Sequence, residues 1–161
     1  MMNDEREKKG TTSEEIKKRD LRARTKLFAL RIIRLYTSLP RTTEAQVIGK
    51  QVLRSGTSPG AHYREAMRAR SSAEFISKIE VALQELEETV YWLELLIEGG
   101  MVSETKLQNL LREAEELTSI FVSSVKTAKA GAIEAWFDSS FIVHNSSLAF
   151  EDALYAICNN S

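Results

Sequence analysis

Cysteine, proline and histidine are scarce in this chain, and each scarcity closes off a class of protein. The lone Cys158 cannot form an intramolecular disulfide, so nothing calls for an oxidising compartment. Two prolines and seven glycines in 161 residues leave few breaks, which favours long helices over strands and turns. The two histidines, His62 and His144, fall short of the paired Glu-x-x-His of a di-iron bundle, and His62-x-x-Glu65 runs in the reverse order. No uncharged apolar run approaches the ~20 residues of a membrane-spanning helix. Met1 to Asp20 hold no apolar stretch of the kind a secretory leader needs. The expectation is a soluble, cytoplasmic, non-enzymatic protein with no metal and no other cofactor.

What is present is ordinary in amount and unusual in arrangement. Hydrophobic residues make up 43% and charged residues 28%, enough for one domain with a real core. The net charge of −1 conceals a division. Residues 17–70 hold fourteen Lys or Arg against Asp20, Glu44 and Glu65, a balance of +11. Residues 71–120 hold eleven Glu against Lys78, Lys106 and Arg112, a balance of −8. Either basic and acidic helices neutralise one another across a bundle, or the basic half keeps a polyanion-binding face.

Residues 1–14 are charged and aperiodic, a tail expected to be disordered. Helical spacing then begins, and a four-helix bundle is expected over residues 15–129. Leu21, Phe28, Ile32, Leu35 and Leu39 form one stripe, which ends before Pro40. Thr42 is placed to cap a second helix running towards Arg70, with Ala45, Ile48 and Val52 inside. Its small-residue segment, Ser55 to Ala61, is either a break or a kinked stretch that another helix approaches closely. The stripe resumes at Tyr63 and Met67, which favours the kink. Ser71-x-x-Glu74 forms a capping box ahead of a third stripe, Phe75, Ile79, Ala82, Leu86, Val90, Leu93 and Ile97, closed by Gly99-Gly100. Ser103 is placed to cap a fourth helix carrying Leu107, Leu110, Ala114, Leu117, Phe121 and Val125. Short connections between amphipathic helices call for antiparallel neighbours, so the expected fold is all-α, an up-down-up-down bundle. Residues 130–161 form a C-terminal extension poor in Lys and Arg, with room for a short helix over Leu148 to Cys158.

Catalytic patterns are weak. Cys158 has no base nearby in sequence. Ser55, Ser58 and His62 lack the strand-turn-helix setting of a nucleophile elbow, and no lysine-serine pair follows Gly56 and Gly60 as a phosphate loop requires. The cations carry more information. Lys50, Arg54, Arg64 and Arg68 recur at helical spacing along the second helix, and Arg31 and Arg34 lie off the apolar stripe of the first. Together they could meet successive phosphates, binding backbone without reading sequence.

Four stretches carry a resemblance: Phe28 to Tyr36 (FALRIIRLY), Ile48 to Ala66 (IGKQVLRSGTSPGAHYREA), Phe75 to Ile79 (FISKI) and Glu85 to Leu96 (ELEETVYWLELL). Over Leu21 to Lys129 the chain resembles the bacterial four-helix bundle proteins. That family includes proteins encoded in intervening sequences of 23S ribosomal RNA genes, and it is similar to the accessory variability determinant of diversity-generating retroelements. The resemblance implies a ring-like homopentamer without catalytic activity. In the retroelement branch it implies a basic surface for nucleic acid and association with a reverse transcriptase. The matching positions are Arg54, Gly56, Gly60, Tyr63, Arg64 and Glu65, with Arg54 and Arg64 expected in surface contacts and Gly56, Gly60, Tyr63 and Glu65 at an interface. His62 stands where the pattern carries Asn.

The expected function is a homo-oligomer binding RNA or DNA through Arg31, Arg34, Lys50, Arg54, Arg64 and Arg68. The alternative is a structural or protein-interaction scaffold whose basic and acidic helices pair between subunits.

Overall fold

A computed structural model describes residues 20–131, which form four consecutive helices: α1 (Leu21–Ser38), α2 (Thr43–Ala66), α3 (Ser72–Glu98) and α4 (Glu104–Lys129). The expectations for residues 1–14, for the extension with its helix over Leu148 to Cys158, and for His144 lie outside the described residues. No described helix is long and apolar enough to cross a membrane.

Local chemistry sets most of the helix ends. Asp20 accepts from the Ala23 amide at 3.0 Å and starts α1. Thr42 accepts from Ala45 at 3.4 Å and starts α2. At α3 both halves of the capping box form: Ser71 Oγ accepts from the Glu74 amide (3.1 Å), and Glu74 Oε2 accepts from the Arg70 amide (2.8 Å). Gly100, with φ +70, takes the left-handed turn that ends α3 and returns the Met101 amide to the Leu96 carbonyl at 3.0 Å.

Three expectations need correction. Ser103 occupies the cap position of α4 without a side-chain cap bond, and its hydroxyl lies 3.4 Å from that of Thr105 instead. The second helix ends at Ala66, not Arg70. Bonds from Arg68 to Glu65 and from Ala69 to Ala66 tighten the chain into short turns there. On α3 the inner positions belong to Thr89 and Leu96, with Val90 and Ile97 half-buried beside them.

The chain is antiparallel from helix to helix, as the cross-contacts show. Along α2 and α3, Arg54 meets Glu88 and Glu65 meets Lys78, so one number rises as the other falls. Phe28, Ile32, Val52, Tyr63, Phe75, Ile79, Leu86, Leu93, Leu117 and Phe121 are almost wholly buried in one core. Burial of each large apolar side chain contributes about 1.5–3 kcal/mol before chain entropy is counted.

α2 runs unbroken through the small-residue segment, with Pro59 inside it. The hydroxyls of Ser55, Thr57 and Ser58 bond back to carbonyls of the preceding turn, at 3.0, 2.7 and 2.8 Å. Small side chains here serve close approach. A Cβ on Gly56 would stand 2.7 Å from Ile32 Cγ1, so α1 seats on α2 only because none is there.

Candidate nucleic-acid interface

α2 carries cations towards both of its neighbours, and the two sides are treated differently. Towards α3, Arg54 bonds Glu88 through Nη2 and Glu85 through Nη1 (3.4 Å), while Trp92 Nε1 donates to Glu88 at 2.9 Å. Arg54's pKa rises, first from its bond to Glu88, and Glu88's carboxyl falls below the ordinary glutamate range, first through Arg54 and then through Trp92. One turn beyond the small-residue segment, Glu65 accepts from Lys78 at 2.7 Å, which lowers its carboxyl pKa. Beneath these pairs the buried hydroxyls of Thr89 and Ser55 meet at 2.9 Å.

Towards α1 the cations have no such partners. Arg64 is half-buried and folds back along its own helix, donating from Nη1 to the Gly60 carbonyl (2.7 Å) and from Nη2 to the Arg22 carbonyl on α1 (3.4 Å). Arg22, Arg34, Lys50 and Arg68 are exposed and Arg31 is half-buried. None of these forms an ion pair among the described residues. Arg22, Arg64 and Arg68, with Tyr63 and Met67, line a half-open cavity of about 220 Å³ where α1 begins and α2 ends.

On the far side of α1, Arg24 reaches α4 and bonds Glu113 (3.0 Å) and Glu116 (2.8 Å). Partial burial works against its charge, yet these carboxylates prevail and hold the guanidinium pKa above its usual value.

The anticipated row therefore divides. Arg54 is matched by two carboxylates of its own chain. Arg64 and Arg68 sit together with Arg22, which the sequence places off the apolar stripe of the first helix but which was not among the expected phosphate contacts. Arg31, Arg34 and Lys50 spread along the same two helices. Gly56, Gly60 and Tyr63, expected at an interface, are buried inside the chain: Gly56 under Ile32, Gly60 beside Thr25, and Tyr63 stacked on Phe121 at 5.7 Å. They join helices of one chain because small residues permit contact and an aromatic fills the space between. Glu65 remains exposed, beside Lys78 and with His62 Nδ1 3.6 Å away.

Among the described residues no group of three or more His, Cys, Asp or Glu is arranged to hold a metal ion. Ser58 donates to the Arg54 carbonyl, Ser55 to the Gln51 carbonyl, and no hydrogen bond links either to His62.

A second surface lies outside the apolar stripes. Leu27, Leu30 and Ile33 are 57%, 38% and 42% exposed on the outer side of α1. The signal was available, since the segment Leu27 to Leu35 holds more large apolar residues than one stripe accommodates. On the opposite half of the bundle a cavity of about 390 Å³ is lined by Glu87, Val90, Glu115, Thr118 and Ser119.

These features define a four-helix bundle with a cationic face on its first two helices. Residues 17–123 match the 23S rRNA-intervening sequence protein family, and the chain belongs to that family. It is also similar to a solved structure from Bacteroides thetaiotaomicron, described as a protein of unknown function from the S23 ribosomal protein family. That relative is 40% identical over 66% of this chain and 98% of its own, with a TM-score of 0.63. Among curated proteins nothing matches this chain.

Proposed function

We propose that this chain is a non-enzymatic, self-associating bundle that binds nucleic acid without sequence preference through α1 and α2. The observation that carries the reading is the asymmetry around α2. Arg22, Arg31, Arg34, Lys50 and Arg68 have no carboxylate partner among the described residues, while Arg54 does. A family named for an intervening sequence of 23S rRNA makes RNA the first substrate to try. Each phosphate neutralised releases condensed counterions, so affinity falls steeply with salt. A gel shift with single-stranded and duplex RNA and DNA at low and moderate salt tests this. No shift with any of them at low salt ends the proposal.

A second reading, a protein-interaction scaffold, is favoured by the exposed Leu27, Leu30 and Ile33 and by the acidic cavity between α3 and α4. A basic, apolar helix face meeting an acidic hollow on the next copy makes a head-to-tail contact, and such contacts close into rings. A homopentamer is the ring the family resemblance suggests, with a reverse transcriptase as its outside partner. Leu27→Glu with Leu30→Glu should then shift sedimentation to the monomer. An unchanged sedimentation coefficient would count against assembly through this face.

A further inference from the structure

The cavity between the start of α1 and the end of α2 is a different kind of surface from the open row of cations around it. Three of its five lining residues are arginines, Arg22, Arg64 and Arg68, and none is acidic. The nearby carboxylates are engaged elsewhere: Asp20 with the Ala23 amide, Glu65 with Lys78. Arg64 is held in place by the Gly60 and Arg22 carbonyls, which occupy two of its five N–H groups and leave the others for a ligand. Met67 and the rigid ring of Tyr63, anchored on Phe121, supply an apolar wall.

From this arrangement we infer that the cavity receives a terminal phosphate monoester, the phosphorylated end of a nucleic acid strand. This deepens, and rests on, the nucleic-acid reading. A backbone phosphodiester carries one negative charge and continues in two directions, which suits the open row of Arg34 and Lys50. A monoester carries close to two charges and ends the chain. It matches a half-open hollow lined by three arginines, a residue whose planar guanidinium fork binds phosphate oxygens in pairs. The bundle would thus hold strands by their backbone along α1 and α2 and prefer those with a phosphorylated terminus.

The test compares one RNA oligonucleotide bearing a 5′-phosphate, a 3′-phosphate or hydroxyls at both ends, titrated against the full chain by fluorescence anisotropy at fixed salt. One phosphorylated form should bind roughly tenfold tighter than the hydroxyl form, as charge-assisted bidentate contacts allow. The double variant Arg22→Gln, Arg68→Gln, both at exposed positions, should bring that ratio below about twofold. The control Arg34→Gln, Lys50→Gln removes the same charge and should weaken all forms while keeping the ratio. Circular dichroism confirms that both variants stay helical. Equal binding of all three forms, or equal loss of the ratio in both variants, overturns the cavity assignment and leaves the nucleic-acid reading standing. No binding of any form overturns both. Inorganic phosphate should compete away the preference at millimolar concentration. Perturbation of the arginine side-chain NMR signals by phosphate, without any end preference, would assign the cavity to free phosphate and reject the strand end.

Discussion

The two seams that α2 makes with its neighbours are built on opposite principles. Against α3 the contact is a polar ladder, with Arg54 on Glu85 and Glu88, Lys78 on Glu65, and Thr89 on Ser55. Against α1 the contact is mainly steric: glycines receive Ile32 and Thr25, Tyr36 donates to Gln46 at 3.5 Å, and the cations at the margin meet carbonyls or, among the described residues, no carboxylate. One helix thus shows that positive charge is available to a ligand only where the adjoining helix brings no carboxylate.

Crowding the steric seam should have the largest effect. Gly56→Leu forces a side chain into the space of the fully buried Ile32 and should lower stability by about 2–3 kcal/mol, read as a fall in the urea midpoint. The polar ladder should respond less. Thr89→Val removes the buried donor to Ser55 while preserving shape, and Ser55 keeps its bond to the Gln51 carbonyl, so the expected loss is about 1 kcal/mol. A loss as large as that of Gly56→Leu would put the weight of the fold on the α2–α3 side.

The ladder should also carry the acid sensitivity. Glu65 and Glu88 have depressed folded-state pKa values, so their stabilising effect is complete at neutral pH. It is lost as pH falls below the ordinary glutamate value of 4.5. The melting temperature should drop from pH ~5 downward, and the double variant Arg54→Gln, Lys78→Gln should flatten that drop. The smallest effect belongs to Arg54 in binding. Arg68→Gln should reduce the salt slope of RNA affinity by about one, and Arg54→Gln should change it less. Equal changes would erase the distinction between the two seams.

The apolar stripes of α1 and α4, the capping box of α3 and the glycine stop after it were readable because each depends on neighbours within one or two turns. Thr89 was not. Nothing local distinguishes a threonine at the centre of a helix face from one at its edge, and its burial is met by the Glu85 carbonyl one turn back together with the Ser55 hydroxyl on α2. The end of α2 was misjudged for a similar reason, as Met67 and Ala69 continue the apolar spacing through turns that have left the helix. For the site, the +11 balance drew attention to α1 and α2, where Arg22, Arg31, Arg34, Lys50 and Arg68 have no carboxylate partner among the described residues. Which arginines remain uncompensated depends on where the glutamates of α3 fall in register, and Arg54 and Arg68 look alike until that register is known. Gly56 and Gly60 were expected between chains, and the contacts they make within the chain, with Ile32 and Thr25, depend on which residues of α1 fall opposite them, which local spacing does not give.

The sparing contact of α1 with α4 also bears on how the bundle breathes. α1 lies along α2 but touches α4 far less, with Arg24 reaching across to Glu113 and Glu116. A helix fastened along one edge swings like a door, and the low-energy openings of a domain follow its weakest edge. Amide hydrogens of α1 should therefore exchange with deuterium well before those of α3, which is clasped from both sides. A strand gripped across α1 and α2 would bar that door and slow the exchange.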